Sequence, residues 1–121
     1  MSKRFDSFTN AYIQCMLWCE TDQTNDQGGE PLENNYNIDD FVKETLDKIE
    51  ADCVKFQTDH WDMICGDLER AGHDFWLTRN GHSAGFWDGD WPEYGDKLTV
   101  AAKRFRSLDV YVGDDDKLYF H

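Results

Sequence analysis

The clearest order in the chain is a 3.6-residue recurrence from residue 38 to residue 71. Ile38, Val42, Leu46, Ile49, Cys53, Phe56, Ile64, Leu68 and Ala71 fall on it, with His60 in step. The recurrence predicts an amphipathic helix opened by Asn37 or Asp39 as N-cap and closed by Gly72. At 1.5 Å per residue, one unbroken helix would be about 50 Å long. The same pattern therefore admits a bend near Thr58-Asp59 or a division into two helices. A shorter recurrence of Phe5, Phe8, Tyr12, Cys15 or Met16, and Cys19 predicts a helix over residues 4–20. Between the two, residues 21–37 are almost all polar or turn-forming, which predicts a long polar loop.

Beyond Gly72 the period changes. Two Phe-Trp pairs, Phe75-Trp76 and Phe86-Trp87, flank the turn formers Thr78 to Ser83. This predicts a β-hairpin with strands 73–77 and 84–88 and Asn80-Gly81 at its turn. Pro92 suits the first turn of a helix reaching to about Arg106, with Tyr94, Leu98, Ala101 or Ala102, and Phe105 on its apolar side. Residues 108–112 and 117–120, joined by Gly113-Asp114-Asp115-Asp116, read as a second hairpin. The expected fold is one α+β domain over residues 1–121, in the order α-α-ββ-α-ββ. Its antiparallel four-stranded sheet, built from the two hairpins, packs against the helices.

Charge narrows the function. With 25 acidic and 12 basic residues among 121, the formal net charge is −13. Such a chain is poorly suited to nucleic acid or an anionic membrane and suited to a basic protein surface. Residues 38–71 hold ten acidic and four basic residues, a net of −6, most simply a solvated outer face. No stretch approaches the roughly 18 apolar residues of a membrane span, and no signal-type run follows the N-terminus. A cytoplasmic location is expected, with Cys15, Cys19, Cys53 and Cys65 as reduced thiols.

Phe75-Trp76-Leu77-Thr78-Arg79-Asn80-Gly81-His82, followed by Ala84-Gly85-Phe86-Trp87-Asp88, then Lys97-Leu98-Thr99 and the segment from Val110 to Tyr119, resembles a group of small proteins encoded by bacteriophages and related mobile elements. The resemblance covers roughly residues 73–120. The group has no assigned activity, so no catalytic or binding residue is carried over. The resemblance implies a setting: a viral product inside a bacterial host, where many small proteins bind and inhibit host enzymes or defence systems.

Candidate chemistry is sparse. His82 with Arg79, near Thr78, Ser83, Asp74 and Asp88, offers a base beside an anion clamp. Turn residues of the same types, Arg paired to a carboxylate or stacked on an indole, explain the cluster equally simply. Cys15-xxx-Cys19 is a weak metal signal, and the run Asp114-Asp115-Asp116 lacks the ligand spacing of a calcium loop. No metal, cofactor or catalytic residue is therefore expected. The expected function is a non-enzymatic, host-directed inhibitor that binds a host protein with a basic surface, a DNA mimic being one form of it. Its contacts are expected from Asp40, Glu44, Asp47 and Glu50 on the acidic helix face and from Arg79 and His82 on the hairpin turn. The alternatives are a small hydrolase of nucleotides or signalling molecules using His82 and Arg79, and a structural virion component.

Overall fold

The computed structural model describes residues 5–22, 30–82, 84–87 and 91–120. Among them the chain forms four α-helices and two short antiparallel strand pairs. Helix α1, Ser7–Cys19, is capped by Asp6, whose carboxylate accepts from the Thr9 N–H at 2.8 Å. Strands β1 (Thr21–Asp22) and β2 (Glu30–Pro31) pair at the base of the polar segment, whose residues 23–29 lie outside the described residues. Two single 3₁₀ turns follow, Leu32–Asn34 and Ile38–Asp40, the second closed by a capping box between Asn37 and Asp40.

The long periodic segment is two helices. Helix α2, Lys43–Ile64, is kinked at His60 (φ −128°, ψ 18°) and ends at Cys65. Helix α3, Leu68–Arg79, begins at Asp67, whose carboxylate accepts from the Arg70 N–H at 3.2 Å. Gly72 is therefore not a helix terminator. It lies inside α3 where α1 crosses, and a Cβ placed there would stand 2.0 Å from the Phe8 carbonyl oxygen.

The four-stranded sheet is not formed, because the first expected hairpin does not exist. Residues 73–79 are the second half of α3, and 84–87 carry no strand. The Phe-Trp-Leu alternation misled because both of its supposed faces are buried: Phe75 and Trp76 are 0% exposed and Leu77 6%. Alternation identifies a strand only when one face meets water, whereas a helix enclosed by neighbours is buried all round. The second half of α3 is such a segment, with Asp74 through Arg79 all buried. Asn80-Gly81 closes it. The Gly81 N–H bonds the Thr78 carbonyl (3.2 Å) and the His82 N–H bonds the Leu77 carbonyl (3.0 Å), with Gly81 at φ +71°. This is a Schellman C-cap, which uses the same left-handed glycine as a hairpin turn.

Helix α4, Gly95–Lys103, packs on α2 and α3, and the second hairpin is present as β3 (Val110–Val112) and β4 (Leu118–Phe120). Phe41 bridges to Leu118 and the Val42 N–H bonds the Leu118 carbonyl at 3.3 Å, fixing the hairpin to the start of α2. Aromatic rings form the centre. Phe56 stacks on Phe75 (centroids 4.3 Å, 18°) and on Phe86 (5.6 Å, 15°), and Tyr12 meets the Trp76 edge at 5.3 Å. No helix of the described residues is long and apolar enough to cross a membrane.

Burial sorts the thiols. Cys15 and Cys53 are buried, and burial pushes both well above the ordinary thiol range; Cys65 is exposed. A thiolate-dependent reagent is expected to modify Cys65 first and to leave Cys15 and Cys53 untouched until the fold is opened with denaturant. Mass spectrometry of partially labelled protein checks this, and rapid native labelling of Cys53 would contradict the packing of α2.

Candidate functional site

The expected cluster of Arg79 and His82 is not assembled on a protruding turn. Arg79 is the last residue of α3 and its side chain is fully buried. Its Nη1 donates to Asp52 Oδ2 at 2.8 Å and to Tyr12 Oη at 3.1 Å. Its Nε and Nη2 donate to the Arg106 and Phe105 carbonyls at 2.9 and 2.8 Å. The guanidinium also lies 5.5 Å from the centroids of Phe75 and Phe105. A cation at this position satisfies the carbonyls that emerge from the end of α4. Arg79 thus joins α1, α2, α3 and α4 from within and presents no surface to a partner.

His82 belongs to a separate network. Its Nε2 lies 3.2 Å from Glu20 Oε2, which also accepts from the buried Trp76 indole at 3.3 Å. Arg79 and His82 share no partner, so the base-and-clamp arrangement is absent. Thr78 Oγ1 is taken by the Phe86 N–H, and Asp74 by the Trp91 indole at 2.8 Å. Ser83 and Asp88 lie outside the described residues. No group of three or more metal-type ligands occurs among the described residues. The Asp115 carboxylate accepts from the Lys117 N–H and the Tyr119 hydroxyl, making it part of the β3–β4 turn.

The acidic helix face is thinner than its sequence implies. Asp40 is used in the capping box, and Asp47 is exposed but held by Lys43 at 3.1 Å. Glu50 is half-buried, and Glu44 is exposed. Carboxylates gather instead around a groove of about 620 Å³ between α1 and α3. Glu33, Asp67, Glu69 and Asp74 line it, with Arg70 and His73 as its basic groups. Asp67 and Arg70 pair at 3.1 Å, and His73 Nδ1 stands 4.0 Å from Asp74 Oδ1, too far for a hydrogen bond.

One wall of the groove is Trp18, 58% exposed, its ring tilted against His73 at 6.3 Å between centroids. The sequence carried a signal for this residue. Trp18 falls off the Phe8–Tyr12–Cys15 stripe of α1, and a tryptophan on the polar side of a helix has no core to enter. Glu33 and Glu69 had no such signal, because their meeting depends on the packing of α1, α3 and the 3₁₀ turn. Polar groups beside an exposed indole can hold a cationic side chain by ion pairing and by contact with the ring face. No protein-family model, curated protein or solved structure matches this chain.

Proposed function

We propose that this protein works by binding a cationic segment of another protein, and that it inhibits that partner without catalysing a reaction. The observation that carries the reading is the α1–α3 groove, whose lining combines the exposed Trp18 with Glu33, Asp67, Glu69 and Asp74. The net charge of −13 supports it by favouring encounter with a basic surface. The phage resemblance of residues 73–120 supplies the setting, a host protein with a basic surface, including one that normally holds nucleic acid. Glu44 and Asp47 on α2 add to the field, and Arg79 has no part in the contact.

The separate networks of Arg79 and His82 give the hydrolase reading no geometry to stand on. A binding role needs no reactive group. It needs an anchoring ring and an excess of negative charge, and the groove lining holds Trp18 and four carboxylates against Arg70 and His73.

Replacing both Glu33 and Glu69 by Lys is expected to reduce capture of the host partner about ten-fold or more, since each reversal removes one attraction and adds a repulsion. Affinity purification from host lysate with quantitative mass spectrometry measures this, beside a Glu44→Lys/Asp47→Lys variant on α2. Wild-type capture should also fall as salt is raised, because the Debye length shrinks from about 10 Å at 0.1 M to about 3 Å at 1 M. Undiminished capture by the Glu33/Glu69 variant would move the contact off the groove.

A further inference from the structure

The cations of this chain divide by partner. Lys43, Lys48, Lys55, Arg70 and Arg79 each hold a carboxylate. Lys97, Lys103, Arg104 and Arg106, on α4 and just after it, hold none among the described residues. Among the described residues these four cations, two on α4 and two just after it, are thus without an ion pair, as is Lys117 before β4.

That helix borders a cleft. Between α4 and the kinked end of α2 lie two adjoining hollows of about 450 and 350 Å³, which share His60, Ala101 and Arg104 in their linings. Lys97, Met63 and Val100 line the larger, and Val100 is 55% exposed despite being aliphatic. Two carboxylates also reach the linings. Asp59 is occupied by Lys55 at 3.1 Å, and Asp96 lies in the first turn of α4. His60 is the residue at which α2 departs from helical geometry, and its ring packs on Phe56 at 4.8 Å between centroids. Its Nδ1 is shielded from solvent and has no hydrogen-bond partner. A shielded ring nitrogen without a hydrogen-bond partner, lining a cleft with Arg104 and Lys97, is a cost that a bound anion would repay by reorienting the ring or by placing an acceptor on it. Burial, reinforced by Arg104 and Lys55 and opposed by Asp59, holds the imidazole below its ordinary pKa, so the ring is neutral at physiological pH.

We infer that the α2–α4 cleft binds a small phosphomonoester, its oxygens held by Arg104 and Lys97 and its apolar body resting on Val100 and Met63. A guanidinium presents paired donors that match phosphate oxygens, and a second cation lining the same cleft suits a dianion better than a single-charged carboxylate. The cleft volume lies in the range of small-molecule sites, and its lining sets the apolar Met63, Val100, Ala101 and Phe105 among charged groups. Charges farther away than about 8 Å are screened at physiological ionic strength, so the local cations prevail over the net charge.

Titration of the full ¹⁵N-labelled chain with phenyl phosphate, followed by amide chemical shifts, tests the site. Saturable shifts confined to residues 55–63 and 95–105 are expected. Arg104→Gln and, separately, Lys97→Gln should each weaken binding about ten-fold, the scale of losing one charge-assisted contact. Benzoate and inorganic phosphate should each bind about ten-fold more weakly than phenyl phosphate, one lacking the dianion and the other the apolar body. Both substituted side chains are exposed and hold no ion pair among the described residues, so the variants keep the wild-type fold, which their amide spectra verify. Shifts outside the cleft, binding indifferent to both substitutions, or equal affinity for benzoate would each overturn the assignment.

Discussion

Replacing Arg79 by alanine is expected to destabilise the protein by about 3–5 kcal/mol, because it leaves a buried network without its centre. Asp52 would lose its 2.8 Å partner and keep Lys48 at 3.0 Å, while Tyr12 and the Phe105 and Arg106 carbonyls would lose their donor. Arg106 sits at φ +65°, a left-handed conformation that a non-glycine residue holds only when its surroundings impose it. The bond from Arg79 Nε to its carbonyl is one such restraint. Domains of this size are stable by about 5–15 kcal/mol, so the loss would consume a large share of the whole.

Arg79→Lys should recover little, since an ammonium cannot reach Asp52, Tyr12 and two carbonyls with one fork. Arg79→Met combined with Asp52→Leu should be markedly more stable than Arg79→Ala, because it removes the charge along with its partner. Chemical denaturation of the three variants measures the series. An Arg79→Ala variant within about 1 kcal/mol of wild type would place the guanidinium at the surface, where an ion pair contributes that little.

Gly72→Ala is expected to destabilise by about 2 kcal/mol or more, although alanine is the better helix former. Inside a helix the exchange alone would stabilise by about 1 kcal/mol. Here the added Cβ would stand 2.0 Å from the Phe8 carbonyl oxygen and 2.9 Å from its carbon, both backbone atoms. Relief requires α1 to move off α3, and α1 carries Phe8 and Tyr12 into the aromatic centre. Overpacking of this kind costs about 1–3 kcal/mol and sometimes more, which outweighs the propensity gain. The midpoint of thermal unfolding should fall on the order of 10 °C. Gly66→Ala is the matched comparison, since a Cβ there meets nothing within 4 Å. If both substitutions behaved alike, the close crossing of α1 and α3 would be wrong.

Gly72 and Asn80-Gly81 show how far local signals reach. At both places the sequence marks a glycine, and the structure gives it a different task from the one its neighbours suggest. At Gly72 a terminator was expected and a helix crossing was found. At Gly81 the left-handed residue was expected in a hairpin and closes a helix. Local sequence specifies that the backbone must turn left-handed or come close to something. It does not specify to what. Arg79 follows the same logic. A cation three residues before a histidine on a supposed turn looked exposed, and only the enclosure of α3 by its neighbours makes it internal.

The acidic candidates divide along the same line. Asp40, Glu44, Asp47 and Glu50 were legible as carboxylates at helical spacing, but their availability depended on Asn37, Lys43 and local burial. The groove residues Trp18, Glu33 and Glu69 come from three elements separated along the chain. No periodicity could join them.

By itself the sequence determined the acid excess, the helical period of residues 43–64, the α1 stripe, the second hairpin with its Gly-Asp-Asp-Asp turn, and the lack of a long apolar span in the described helices. These follow from side-chain chemistry and from spacings within one or two turns of backbone. Tertiary structure alone decided that 73–79 is helix rather than strand, that Arg79 is internal, and where carboxylates and the cations without ion pairs among the described residues collect. The reason is physical. Periodicity reports which side of an element faces water, and an element enclosed on every side has no such side to report.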